Sequence, residues 1–274
     1  MKLLRKSVLI AILSAVSAVN AAEMCTEQTL LETFDGESLN QQLWSFDIGD
    51  GCDRELCGWG NNEAQFYHSD NVSLRDGHLV ILAHEDENLG HITSGKIVTR
   101  DKFAQRYGRF EARIKVPAGL GLWPAFWLMP DQPEQRWPLE GEIDILERPG
   151  RSFDDLRTVI AAAHFGELSP KNTHFAQFLI MPKFWHDDFH LYAVDWTEDR
   201  ITWSIDGREF ANFSREDASP YRWPFDDKAF YVILNLAVGG TLGGEVHLDS
   251  MPAEMVVDYV KVSQFVDCTG DLVK

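Results

Sequence analysis

The sequence predicts an all-β protein, a β-sandwich of jelly-roll type built from two antiparallel sheets. Three observations lead there. Short apolar runs are separated throughout by Gly, Asn, Asp and Pro, which read as strands joined by turns. The segment from Arg109 to Pro117 alternates strictly, with Phe110, Ala112, Ile114 and Val116 on one face and Arg109, Glu111, Arg113 and Lys115 on the other. No long amphipathic helix is evident beyond the N-terminus. Many strands at this spacing pack as two sheets face to face, and a curved sheet offers an open cleft suited to a polymer.

The first 21 residues read as a secretory signal, followed by a single domain over 22–274. Lys2, Arg5 and Lys6 form a basic start, Ser7 to Val19 an apolar stretch, and Val19-Asn20-Ala21 a small-residue cleavage site. The apolar stretch is too short for a comfortable membrane span, which needs about 20 residues. Export makes the destination extracellular or periplasmic. Losing three basic residues takes the formal net charge from −18 to −21. Such a surface repels nucleic acid, anionic membrane and sulfated polysaccharide, and is indifferent to a neutral glycan.

Further strands are expected over Leu79 to Ala83, Phe189 to Trp196, Phe230 to Val238 and Met255 to Val262. Arg200 to Phe210 reads as a hairpin, because Asp206-Gly207 supplies the positive φ angles of a tight turn. Four cysteines in an exported chain permit two disulfides, in three connectivities. Cys52 and Cys57 lie close enough to staple their loop; Cys25 and Cys268 would then tie the termini.

The chemistry is expected in the segment Gly141-Glu142-Ile143-Asp144-Ile145-Leu146-Glu147. Glu142 and Asp144 share one strand face, while Ile143 packs inward. Plain alternation puts Glu147 on the opposite face, and one extra residue around Ile145-Leu146, a β-bulge, restores it to the acidic face. Two carboxylates leaning together there suit double displacement at an anomeric carbon, where the second protonates the leaving oxygen and then deprotonates water. Asp144 between them orients the nucleophile and raises its neighbours' proton affinity. The competing reading is an acidic, solvated strand face. Trp123 and Trp127 in the preceding LWPAFWLMP run wall or floor a sugar site, or else pack in the core.

These residues resemble glycoside hydrolase family 16, and within it the laminarinase-like endo-β-1,3-glucanases. The resemblance rests on Glu-x-Asp-x-x-Glu at Glu142, Asp144 and Glu147 and on GWGNNEAQFY from Gly58, TSGKI from Thr93, YGRFEARIKVP from Tyr107, GLWPAFWLMP from Gly121, FHLYAVDWT from Phe189 and ILNLAVGG from Ile233. It spans about residues 30 to 265. It implies a concanavalin A-like jelly roll with the glucan lying across the concave sheet, Glu142 as nucleophile, Asp144 as assisting acid and Glu147 as acid/base. Asn62, Trp123, Trp127 and His164 match positions that contact sugar near the cut, although His164 also reads as a hydrogen-bonded core histidine. The resemblance further implies no cofactor for catalysis, and a structural calcium at Glu32, Gly77 and Asp258, whose carbonyl and carboxylate oxygens suit a hard cation. The chain departs from the pattern at Lys96, where many relatives carry Arg, and at Leu242, where laminarinases commonly have Trp.

The expected activity is thus hydrolysis of β-1,3-glucan by a monomer. The alternatives are a hydrolase or transglycosylase acting on mixed-linkage glucan or another neutral glycan such as agarose, or a glucan-binding protein without catalysis. Carrageenan is disfavoured by the acidic surface. Zinc hydrolysis is disfavoured because His186 and His190 precede a strand and lack the HExxH arrangement.

Overall fold

The structure, a computed structural model, describes residues 24–134, 136–168, 171–183, 185–268 and 272. The predicted signal lies outside them. In chain order the strands are β1 (Met24–Glu32), β2 (Ser45–Phe46), β3 (Phe66–Tyr67), β4 (Val72–Arg75), β5 (His78–Asp86) and β6 (His91–Ser94). Then come β7 (Lys96–Val98), β8 (Gly108–Lys115), β9 (Leu122–Pro130), β10 (Glu142–Glu147), β11 (Thr158–Gly166) and β12 (Asn172–Ile180). The last five are β13 (His190–Trp196), β14 (Arg200–Ile205), β15 (Arg208–Ser214), β16 (Phe230–Val238) and β17 (Ala253–Asp267). Among the described residues the one α-helical turn is Gly240–Gly243.

These strands form two sheets. The front sheet runs β12-β11-β10-β9-β16-β7-β2. The back sheet runs β15-β14-β13-β8-β17-β5-β6-β3, with β1 also on β17 and β4 on β5. Pairing is antiparallel except between β3 and β6. The alternation read in β8 is realised: Phe110, Ala112, Ile114 and Val116 are buried between the sheets. β16, at the middle of the front sheet, is buried at every position of FYVILNLAV, because β9 and β7 flank it and the core lies behind it. Trp44, Trp196 and Trp203 are wholly enclosed, and burying apolar side chains of this size stabilises the fold by a few kcal/mol each.

The expected hairpin is present, with Asp206 at φ 51° and Gly207 at φ 74° between β14 and β15. The strand expected from Met255 is longer than the sequence suggests, fifteen residues from Ala253 to Asp267. Both disulfides form in one of the three possible connectivities, Cys25–Cys268 and Cys52–Cys57. No helix of the described residues is long and apolar enough to cross a membrane.

Candidate active site

β10 supplies the three acids, and its register shows how. Asp144 opposes Trp127 on β9, but Leu146, two residues later, opposes Phe126, only one step along. The extra residue restores Glu147 to the face of Glu142 and Asp144, with Glu147 opposite Ala125. On β11 the partners of the three acids are His164, Ala162 and Ile160, all of one face. Ile143, Ile145 and Leu146 fill the core behind them. The bulge inferred from the sequence is therefore what gathers the acids.

Indole N–H groups hold this row in place. Trp137 Nε1 donates to Glu142 Oε2 at 2.8 Å, and Trp123 Nε1 donates to Glu147 Oε1 at 3.1 Å. Trp203, from the back sheet, donates through the core to the Asp144 carbonyl at 2.8 Å. His164 Nε2 lies 3.2 Å from Asp144 Oδ2 and 3.9 Å from Glu142 Oε1. It faces the acids and is not a core histidine.

The acids are enclosed, and their proton affinities follow. Burial pushes Glu142 up, and the Asp144 carboxylate adds to this; His164 and the Trp137 N–H oppose it, leaving Glu142 at about 7. Burial, with Asp144 second, raises Glu147 well above the usual carboxylate range. Burial alone would lower His164, but Asp144, Glu142 and Glu147 around it raise it to about 10. At neutral pH the site thus holds an imidazolium among three carboxyl groups. Glu142, Asp144 and His164 also have the spacing of a metal site, and a cation there would have to displace the imidazole proton.

Beside the acids lies a small open recess lined by Trp59, Asn61, Glu63, Lys96, Trp123, Trp127 and Asn235 as well as the acids. Trp127 Nε1 donates to Asn235 Oδ1, Asn235 Nδ2 to the Tyr67 hydroxyl, and that hydroxyl to Glu63 Oε2. Lys96 Nζ sits 4.1 Å from the Trp59 ring centroid and 5.1 Å from that of Trp127. Lys96 also faces Asp47, which Arg54 and Arg100 hold by ion pairs.

Trp123, Trp127 and His164 come together with the acids as expected. Asn62 does not. It is exposed, in the left-handed region at φ 60°, while its neighbours Asn61 and Glu63 turn toward the recess. The tight turn there explains the correction, since a residue at the tip points away from the wall formed by its neighbours. Trp137, Trp59, Glu63 and Asn235 were not singled out from the sequence. Asn235 carried a signal, as the one strongly polar residue in an otherwise apolar nine-residue strand.

The expected calcium positions meet on the back sheet. Asp258 lies between the stretch of β17 paired with β5 and that paired with β1, flanked by Gly77 in the β4–β5 turn and Glu32 at the end of β1. Asp258 Oδ2 accepts from Arg113 Nη1 at 2.6 Å, and Oδ1 lies 3.7 Å from His78 Nε2, beyond hydrogen-bond range. Glu32 Oε1 accepts from the Phe34 N–H. Among the described residues Asp258 Oδ1 accepts no side-chain hydrogen bond, and a carboxylate oxygen of this kind is the ligand type a hard cation takes.

This geometry has counterparts among known proteins. Residues 59–261 match the profile of the glycosyl hydrolases family 16. A β-glucanase of Rhodothermus marinus is 36% identical over 251 residues, covering 86% of this chain and 84% of the relative. A glucan endo-1,3-β-glucosidase A1 of Niallia circulans is 36% identical over 254 residues, covering 84% of this chain but 37% of that longer protein. The catalytic domain of an endo-1,3-β-glucanase (laminarinase) from Thermotoga petrophila RKU-1 superposes with a TM-score of 0.81 at 32% identity, covering 90% of this chain and all of that one. A bulged strand carrying three acids on the open face of a jelly roll, matched over most of the chain at this identity, places the protein in glycoside hydrolase family 16.

Proposed function

We propose that the protein is a retaining endo-β-1,3-glucanase, and that residues 22–274 act as a single catalytic domain, monomeric and exported. The observation that carries the reading is the bulge in β10, which sets Glu142, Asp144 and Glu147 on one face beside an aromatic-walled recess. The relatives support a glucan substrate, and two disulfides suit an oxidising compartment.

In the first step Glu142 Oε attacks the anomeric carbon and forms a glycosyl ester, while the Glu147 carboxyl gives its proton to the departing glycosidic oxygen. Glu147, now a carboxylate, takes a proton from water; that water attacks the same carbon and releases Glu142. The surroundings of the two carboxyls support these roles. Burial and the Asp144 charge raise Glu147, which favours a carboxyl that holds a proton to donate, while His164 and the Trp137 N–H favour the ionised form of Glu142. The two interact, so the observed pH limbs belong to the pair. His164 balances the charge that Asp144 and Glu142 concentrate at the attacked carbon. Trp137 aims Glu142, and Trp123 aims Glu147.

No cofactor enters this chemistry. A structural calcium held by Asp258 Oδ1 and the carbonyls of Glu32 and Gly77 would brace the back sheet, far from the bond being cut.

The test is product release from laminarin, mixed-linkage β-glucan and agarose, with Glu142→Ala as control and azide as a replacement nucleophile. Laminarin hydrolysis that is lost in the variant, and restored by azide with inverted product, is expected. Near-normal turnover by Glu142→Ala would overturn the assignment; binding without hydrolysis by the native chain would make it a glucan-binding protein.

A further inference from the structure

One row of directly paired residues crosses the front sheet through the acids. Lys96 on β7 opposes Asn235 on β16, which opposes Ala125 on β9, which opposes Glu147 on β10. The row continues past Glu147 to Ile160 on β11 and ends at Phe178 on β12. Directly opposed residues share a sheet face, so Phe178 stands on the same face as Glu147 and the recess. Strands lie about 4.8 Å apart, which puts Phe178 roughly 10 Å from the β10 backbone, on the opposite side of the acids from the recess.

Phe178 is exposed on this face. Its side chain is 54% exposed, and Ile180, two residues on and on the same face, is 61% exposed. Among the described residues Phe178 stacks on no other ring, whereas Phe175, on the opposite face of β12, is stacked on Trp203 and Phe213 in the core. Between Glu147 and Phe178 lies Ile160, with Ala162 beside it opposite Asp144, both apolar and buried. A chain leaving the recess over the acids meets these apolar residues and then the exposed Phe178 ring.

We propose that Phe178, with Ile180, is a platform for a sugar ring of the same glucan, on the side of the cut away from the recess. The inference rests on the glucanase reading and adds a specificity-determining surface to it. The occupant follows from continuity: the platform lies in register with Glu147 and Asn235, on the path a polymer must take across the sheet. The ring offers a flat apolar face, and a β-glucosyl residue presents its axial C–H bonds to such a face. The surface favours long substrates over short ones, because only a chain that extends beyond the first sugar past the cut reaches it.

The experiment compares wild type, Phe178→Ala, Phe178→Trp and Ile180→Ser by kcat/KM on laminarin and on a chromogenic laminari-oligosaccharide whose sugars lie on the recess side alone. Phe178→Ala should lower kcat/KM on the polymer by roughly threefold to tenfold, mainly through KM, with the chromogenic substrate unchanged. Phe178→Trp should restore or exceed the native value. An active wild type with Phe178→Ala unaltered on both substrates overturns the platform. So does an equal loss on both substrates, or a change in oligomeric state without a change in kinetics, which would make β12 a contact edge. Inactivity of the wild type on both substrates fails the glucanase reading itself and is distinct from these.

Discussion

Replacing Glu142 by Gln should abolish hydrolysis yet make the protein more stable, by an amount that depends on pH. Burial and the Asp144 carboxylate raise Glu142 from its usual 4.5 to about 7. Each tenfold change in proton affinity corresponds to about 1.4 kcal/mol, so an ionised Glu142 costs the fold about 3 kcal/mol. The sign follows from linkage. Below about pH 4.5 the carboxyl is protonated both folded and unfolded, and nothing is lost. As pH rises the unfolded chain gives up this proton first, and stability falls until the folded group has also ionised, near pH 7. A glutamine keeps the shape and can still accept from Trp137, but never ionises. The variant should match wild type near pH 4 and exceed it by about 3 kcal/mol above pH 8, or roughly 6–12 °C in Tm for a domain of this size. Thermal and urea unfolding across that range would measure it. A stability difference that stays constant with pH, or a variant weaker than wild type at high pH, would refute the argument that the site holds Glu142 against its preference to stay neutral.

Glu147→Gln should lower kcat/KM on polymer by roughly a hundredfold to ten-thousandfold, and far less on an aryl glycoside whose good leaving group needs no proton. Trp137→Phe removes the N–H that favours ionised Glu142, so the acidic limb of the pH profile should move upward, costing roughly tenfold in kcat/KM near pH 6 and little near pH 9. Replacing Cys25 and Cys268 by Ser opens a link across 243 residues and should cost about 2–5 kcal/mol by denaturant unfolding, whereas opening Cys52–Cys57, which spans 5 residues, should cost less. Dialysis against a chelator should lower Tm without changing kcat at a temperature well below it; an unchanged Tm together with no calcium by metal analysis would dismiss the proposed ion.

The sequence was most legible where one residue's chemistry forces the backbone. The odd spacing of Glu142 and Glu147 demanded a bulge if all three acids were to share a face, and the register shows one between Asp144 and Leu146. Alternation in β8 and the Asp-Gly turn were equally plain. What stayed hidden was side-chain direction in irregular segments. Asn61, Asn62 and Glu63 are all polar and adjacent, and the turn at Asn62 decides which of them reach the recess. Trp137 sits in a loop with no periodicity, so its bond to Glu142 had no pattern to reveal it. The partnership between β1 and β17 joins the two ends of the described chain; the cysteines hinted that the ends meet, but local propensity did not show that they pair as strands.

That partnership bears on how the molecule is assembled. β17 is the strand on which β5, β8 and β1 all converge, yet it occupies residues 253–267. Without those residues the back sheet is three pieces, β15-β14-β13-β8, the group of β3 to β6, and a lone β1, with no strand to join them. Closing so large a loop is entropically costly, and topologies dominated by distant pairings fold slowly. The back sheet therefore closes only when the C-terminal strand is in place.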